Sequence, residues 1–196
     1  MFNVAVFVSG RGSNLRALYE KVSGENVKIC AVVSDKKDCG AAEFAKENSI
    51  PVFFVSSKIV DGFSSYKSVA EELKKFFFVD LIVLAGFLKK IPDEFVDEFE
   101  NKIINIHPAL LPLYGGKGMY GLNVHQAVFD ARDKISGATV HFVDKVYDRG
   151  KIIAQRSVNI EDVKSAEEIA ARVLKIEHEL LPEVVKNFSE GRIKIN

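Results

Sequence analysis

Between Asn105 and Pro112 the chain reads Asn-Ile-His-Pro-Ala-Leu-Leu-Pro. Asn105 and His107 alternate with Ile104 and Ile106, so in an extended chain the amide and the imidazole project from one face. Pro108 disfavours helix at His107 and ends the strand there. A histidine that titrates near neutral pH, beside an amide that donates to an oxyanion, is a workable pair for acyl or formyl transfer. The same two residues also suit a hydrogen-bonded structural pair at a strand end, and on their own they do not separate the two readings.

Three other stretches carry chemistry-bearing residues. Ser9-Gly10-Arg11-Gly12-Ser13-Asn14 follows an apolar run and precedes Leu15, Leu18, Tyr19 and Val22 at helical spacing. Free N–H groups at such a helix start, with the Ser13 and Asn14 side chains, make a phosphate site, although a plain strand-to-helix turn reads the same way. The stretch lacks the Gly-Lys-Ser/Thr ending of a Walker A loop. As a dinucleotide fingerprint it has Leu15 where a third glycine belongs, while Asp35 stands about where that fold puts its ribose-binding acid. The Asp144 to Gly150 stretch is either a connection or a loop holding a carboxylate over the fifth strand's end. Glu177 flanks a helical apolar stripe, as a half-buried ligand-facing acid or as a solvated one. His125, His141 and His178 are scattered without metal-ligand spacing, no metal is expected, and no Gly-x-Ser-x-Gly elbow is present.

The elements that must position these groups alternate. Apolar, β-branched runs at Phe2 to Val8, Val27 to Ser34, Pro51 to Val55, Leu81 to Leu84 and Ile103 to His107 read as strands. Helical spacing recurs at Leu15 to Val22, Ala41 to Asn48, Ser64 to Phe77, Pro92 to Phe99 and Val124 to Ala131. Leu113 to Gly121 is too glycine-rich for a regular element and is expected to be a mobile loop. Thr139 to Val143 and Ile152 to Val158 are two further strands. Ser165 with Glu168 makes a capping box for a last helix striped by Ile169, Val173, Ile176 and Leu180, which Pro182 should kink or break. The fold class is α/β: an open, mostly parallel Rossmann-like sheet flanked by helices, with an antiparallel extension in the C-terminal half.

The chain's 196 residues, 47% of them hydrophobic, suit one domain over 1–196. Lys and Arg number 27 against 27 Asp and Glu, with no dense basic run, so no nucleic-acid or acidic-membrane partner is expected. Cys30 and Cys39 form no disulfide framework. The early apolar run is far too short for a membrane span, and a cytoplasmic protein, monomer or homodimer, is expected.

Taken in order, these motifs resemble the phosphoribosylglycinamide formyltransferase family over nearly the whole chain. Ser9 to Leu15 looks like its phosphate loop, Leu84-Ala85-Gly86-Phe87 like its folate-pocket strand end, and Asn105-Ile106-His107-Pro108 like its catalytic strand. Gly137 to Val143, running on to Asp148 and Gly150, matches its signature segment. The resemblance implies direct attack of the amine of glycinamide ribonucleotide on the formyl carbon of 10-formyltetrahydrofolate as co-substrate, through a tetrahedral intermediate. It implies that Asn105 binds the oxyanion, that protonated His107 stabilises it and protonates the leaving nitrogen, and that Asp148 keeps His107 charged and orders a water. Gly12, Ser13 and Asn14 take the substrate phosphate, and Glu177 its amino end. The pterin lies against backbone near Leu88, Lys89, Lys90 and Ile91 and near Asp144 to Asp148, with no catalytic role for the two lysines. Phe63, Ala109 and Lys145 depart from the family pattern. A 10-formyltetrahydrofolate hydrolase and a non-catalytic nucleotide-binding module are the alternatives. A methionyl-tRNA formyltransferase is disfavoured by neutral charge and a missing RNA-binding domain, and an NAD-dependent dehydrogenase does not explain Asn105, His107 and Asp148 together.

Overall fold

In the computed structural model, which describes residues 1–24 and 26–194, the elements are β1 (Phe2–Val8), α1 (Ser13–Val22), β2 (Val27–Ser34), α2 (Gly40–Glu47), β3 (Val52–Phe54), α3 (Tyr66–Lys75), β4 (Leu81–Leu84), α4 (Asp93–Glu98), β5 (Ile103–His107), α5 (Leu122–Asp130), β6 (Ile135–Phe142), β7 (Ile152–Asn159) and α6 (Ala166–Ser189). They build one sheet in the order β3-β2-β1-β4-β5-β6-β7. Pairing is parallel from β3 through β5, and β6 and β7 add antiparallel. The expected architecture is therefore the observed one.

Alternation along β1 explains why this strand is central. Val4, Val6 and Val8 pack with Leu15, Leu18, Phe44 and the α6 side chains Ile169, Val173 and Leu181 on one face. Ala5 and Phe7 pack with Val69, Leu73, Phe95 and Val96 on the other. A strand covered on both faces carries apolar residues at every buried position, as this one does from Val4 to Val8. Because β1 pairs with β2 on one side and β4 on the other, the strand order reverses there, and a crevice opens at the carboxyl ends of the strands.

Several boundaries differ from the sequence reading by one or two residues, and three differences have a clear local cause. β6 begins at Ile135, four residues before Thr139; Ser136 and Gly137 show no apolar alternation, and pairing with Val158 and Ser157 of β7 sets the start. α3 begins only at Tyr66, since Ser64 donates to the Phe54 carbonyl at the sheet edge and the Ser65 hydroxyl caps the helix by accepting from Ser68 N–H. α6 continues through Pro182 to Ser189 rather than breaking. Beyond the proline, Val184, Val185 and Phe188 are buried. At about 1.5–3 kcal/mol per buried side chain, that outweighs the cost of roughly 3 kcal/mol for an interior proline. Among the described residues, no helix is long and apolar enough to cross a membrane.

The three departures from the family pattern have local accounts. Phe63 meets the Phe54 ring at a tilt of 58° with the Lys37 ammonium over its own ring. The Ala109 carbonyl accepts from the Thr139 hydroxyl at 2.6 Å, and Lys145 pairs with Asp97 at 2.6 Å.

Candidate active site

At the carboxyl ends of β1, β4 and β5 lies a cavity of about 940 Å³. Gly12, Ser13, Asn14 and Glu177, the segment Leu88, Lys89, Lys90 and Ile91 with Asp144, and the group Asn105, His107 and Asp148 all line it. The site residues expected from the resemblance thus share one cavity. Asp35 does not line it, so the acid that favoured a dinucleotide reading has no part in this site.

The placement of Asn105 and His107 is set by strand register. β5 and β6 pair Asn105 with His141 and His107 with Thr139, which puts the Asn105 and His141 side chains on the same face. The Asn105 amide nitrogen lies 3.1 Å from His141 Nε2. His141 Nδ1 lies 2.7 Å from the Phe142 carbonyl, an acceptor only, so Nδ1 donates there, while Nε2 faces both the Asn105 amide nitrogen and the Asp148 carboxylate. That contact holds the Asn105 amide beside the cavity, with an N–H for an oxygen there.

His107 is 3% exposed. Its Nε2 donates to the Tyr114 carbonyl at 2.8 Å, and its Nδ1 faces Asp148 Oδ1 at 3.7 Å. The same carboxylate oxygen lies 3.5 Å from His141 Nε2, and Oδ2 accepts from Gly116 N–H at 2.7 Å. Burial lowers the His107 pKa more than Asp148 and the Tyr114 carbonyl raise it, with His141 lowering it further. Asp148 raises the imidazole's pKa in the expected sense, but at 3.7 Å it only partly offsets the loss of hydration on burial, so the net shift is downward. Asp148 itself is opposed by burial, but hydrogen bonds from His141 and Gly116 and the charge of His107 carry its carboxyl below the ordinary range. The resting pair is a neutral imidazole beside a carboxylate.

Gly12, which lines the cavity, caps α1 with φ +75° and no side-chain cap bond. A Cβ there would lie 2.7 Å from Ala41 Cβ, so glycine lets the loop reach this conformation against α2. First-turn N–H groups lacking a side-chain cap suit an anion. Glu177 is 7% exposed, buried rather than at a solvated flank. Its Oε2 accepts from Asn14 Nδ2 at 3.3 Å, while Asn14 Oδ1 is buried and unbonded. Burial pushes the Glu177 carboxyl up to about 7, with the Asn14 bond a smaller opposing effect. A carboxyl raised in the folded state contributes full stability below its unfolded value and loses it as pH rises to the folded one. The window runs from the usual 4.5 to about 7. Glu177→Gln keeps an acceptor for Asn14 and removes the buried charge, so thermal unfolding should show the variant more stable than the parent at pH 8 and no more stable at pH 4.

Around Leu88 the backbone is partly committed. Leu88 N–H donates to the Ser9 hydroxyl at 2.9 Å, so from Leu88 a ligand finds the carbonyl and not the N–H. Lys90 pairs with Asp93 at 2.8 Å. Leu84, Ile91 and Val143 also line the cavity and give it apolar surface beside these main-chain groups.

The sequence reading missed His141 and the Tyr114-to-Gly116 segment as parts of the site. For His141 the signal was its alternation with Val140 and Phe142, which places Thr139 and His141 on one face. The loop expected to be mobile meets the site through Tyr114 and Gly116. His125, 6% exposed, also lines the cavity with Nδ1 unbonded. Burial, and then the charge of His107, push its pKa down to about 4.

Comparison with known proteins follows this geometry. A sequence model of the formyl transferase family matches residues 2–185. The chain is 48% identical to the chloroplastic phosphoribosylglycinamide formyltransferase of Arabidopsis thaliana, covering 97% of this chain and 66% of that protein, just under two thirds of its length. It is 36% identical to the phosphoribosylglycinamide formyltransferase of Haemophilus influenzae, over 100% of this chain and 91% of that one. The crystal structure of the phosphoribosylglycinamide formyltransferase of Anaplasma phagocytophilum superposes with TM-score 0.87 at 36% identity, covering 98% of this chain and 88% of that one.

Proposed function

Because the chain belongs to the formyl transferase family, among its phosphoribosylglycinamide formyltransferases, we propose that it transfers the formyl group of 10-formyltetrahydrofolate to the amine of 5'-phosphoribosylglycinamide, a step of de novo purine biosynthesis. The observation that carries this reading is the meeting of Asn105, His107 and Asp148 in one cavity that an anion-suited helix start and apolar side chains also line. Gly12, Ser13 and Asn14 hold the ribonucleotide phosphate through first-turn N–H groups and side chains. Glu177 ionises against the amino end of that substrate, which its raised pKa makes conditional on an occupied site. The pterin lies against main-chain groups of Leu88 to Ile91 and Asp144 to Asp148.

The chemistry follows from the resting charges. The substrate amine attacks the formyl carbon, and the carbonyl oxygen becomes an oxyanion held by an Asn105 N–H. The ammonium formed by attack gives its proton to His107 Nδ1, directly or through a water ordered by Asp148. The imidazolium so formed faces Asp148 and stabilises the adjacent oxyanion. It then protonates the folate nitrogen as the carbon–nitrogen bond breaks and the oxyanion returns to a carbonyl. Protons balance, and no covalent enzyme intermediate is needed.

The test is release of the deformylated folate from 10-formyltetrahydrofolate or its dideaza analogue, followed optically with and without glycinamide ribonucleotide. Release that depends on the ribonucleotide is expected. Equal release without it would assign a hydrolase, and no release in either case would leave a binding module.

A further inference from the structure

His107 can act as described only in one of its two neutral tautomers. With the proton on Nε2, the Nδ1 lone pair is available to take a proton on the side of Asp148. With the proton on Nδ1, that position is blocked and the Nε2 lone pair faces a carbonyl oxygen. The group deciding between these states is the Tyr114 carbonyl, which accepts from Nε2 at 2.8 Å.

That carbonyl is held in place at a cost. Tyr114 has φ +55°, a left-handed conformation unfavourable for a bulky residue and retained only where its surroundings impose it. Its own side chain supplies the imposition. The Tyr114 hydroxyl donates to Asp133 Oδ2 at 2.7 Å, and Asp133 sits at the turn between α5 and β6, its N–H bonded to the Val128 carbonyl. Asp133 also raises the phenol's pKa to about 12, so the donor persists through the working range.

The next residues complete the arrangement. Gly116 N–H donates to Asp148 Oδ2 at 2.7 Å, so three consecutive residues bridge the imidazole and the carboxylate. Position 115 lies between them, where a Cβ would fall 2.6 Å from Leu111 Cδ2 and 3.1 Å from Asp148 Cβ. A larger residue there would have to displace the Leu111 side chain and press on Asp148, so glycine lets the segment pass this close without moving either.

We propose that Tyr114, braced by Asp133, is a positioning residue that selects the Nε2–H tautomer of His107 and so aims Nδ1 at the reaction. This deepens the proposed transfer reaction and rests on that reading for its kinetic consequence, though not for its structural one. The charged and titratable groups facing His107 are Asp148 from the β6–β7 loop, His141 from β6 and His125 from α5. Changes confined to the brace leave all three in place.

The experiment measures the ¹⁵N chemical shifts of the His107 ring by NMR, above its titration, in the full chain and in Tyr114→Phe and Asp133→Ala, with formyl-transfer kinetics alongside. The parent should show Nε2–H. Each variant should show a mixture of tautomers and a kcat about tenfold lower, the loss of roughly one hydrogen bond's worth of orientation. KM for both substrates should stay within about twofold, since no substrate contact is removed. The double variant should be no slower than either single one, and Asp133→Asn, which keeps an acceptor oxygen, should restore the parent's tautomer and rate. Unchanged tautomer populations in Tyr114→Phe and Asp133→Ala would overturn the proposal, as would a shifted tautomer with an unchanged kcat. Should Tyr114→Phe fail to fold, Asp133→Ala decides from the outer end of the brace. A tautomer that responds as expected in a protein that transfers no formyl group would leave the brace intact and remove only the proposed reaction.

Discussion

His107→Ala is expected to lower kcat by roughly 10²–10⁴-fold, the range for loss of a positioned acid–base group, with KM for the ribonucleotide little changed. The phosphate contacts proposed for Gly12, Ser13 and Asn14 and the Glu177 contact are made by groups other than the imidazole. The pH profile should change with it. Burial depresses the His107 pKa below the usual 6.5, with Asp148 and the Tyr114 carbonyl only partly offsetting it. The parent should therefore lose kcat/KM as pH falls through that depressed value, where the resting imidazole becomes protonated and can no longer accept the amine's proton. In His107→Ala this acidic limb should disappear. Stability moves in the matching sense. A histidine held neutral in the folded state contributes stability that is present above its unfolded pKa and is lost as pH falls through the folded one, so the variant should be less acid-sensitive in unfolding. Truncation also leaves the Tyr114 carbonyl without its donor, at a cost of about 1–3 kcal/mol. Circular dichroism and thermal unfolding must accompany the kinetics so that lost activity is not mistaken for lost structure. A folded His107→Ala protein with a near-normal rate would remove the histidine from the mechanism.

The features of this molecule legible in its sequence share a physical origin, namely short-range pattern. β1 is apolar at every buried position because both of its faces are covered, and an unbroken apolar run is the local signature of that burial. Asn105 and His107 share a face because strand alternation has period two. Pro108 ends that strand because it cannot continue the ladder. What the sequence did not disclose depends on pairing across distance. The placement of His141 against Asn105 requires the antiparallel register of β5 with β6, and no local pattern specifies which residue of one strand meets which of the other. The Tyr114 carbonyl acts through main chain, so its identity as tyrosine says nothing about His107. The α6 helix passes through Pro182 because tertiary burial overrides propensity. The charge state of His107 escapes a sequence reading for a related reason. The presence of a carboxylate can be inferred from a motif, whereas the burial that outweighs it is a property of the closed site.

Asp148→Asn is expected to lower kcat by roughly 10²–10³-fold, less than the most severe loss at His107, because it removes a charge that stabilises the imidazolium without removing the proton acceptor. Burial opposes ionisation of this carboxyl, but bonds from His141 and Gly116 and the charge of His107 more than cancel it, so its pKa lies below the ordinary 3.8. Asp148 is thus an anion throughout the working range. A carboxylate of this kind contributes stability that is present above its unfolded pKa and is lost as pH falls through the folded one. The difference in unfolding free energy between parent and Asp148→Asn should therefore close at low pH. In the variant the amide oxygen can still accept from Gly116 N–H, which keeps the loop in place while the charge is gone. His107, deprived of the group that raised its pKa, should titrate still lower, moving the acidic limb of kcat/KM further down in pH. The decisive arm is Asp148→Asn made in the His107→Ala background. If Asp148 works by stabilising the His107 imidazolium, its charge has no partner there and the second substitution should cost almost nothing. A full additional loss in that background would mean that the carboxylate acts on water or substrate by itself, and proton transfer would then have to be reassigned from the imidazole to an Asp148-bound water.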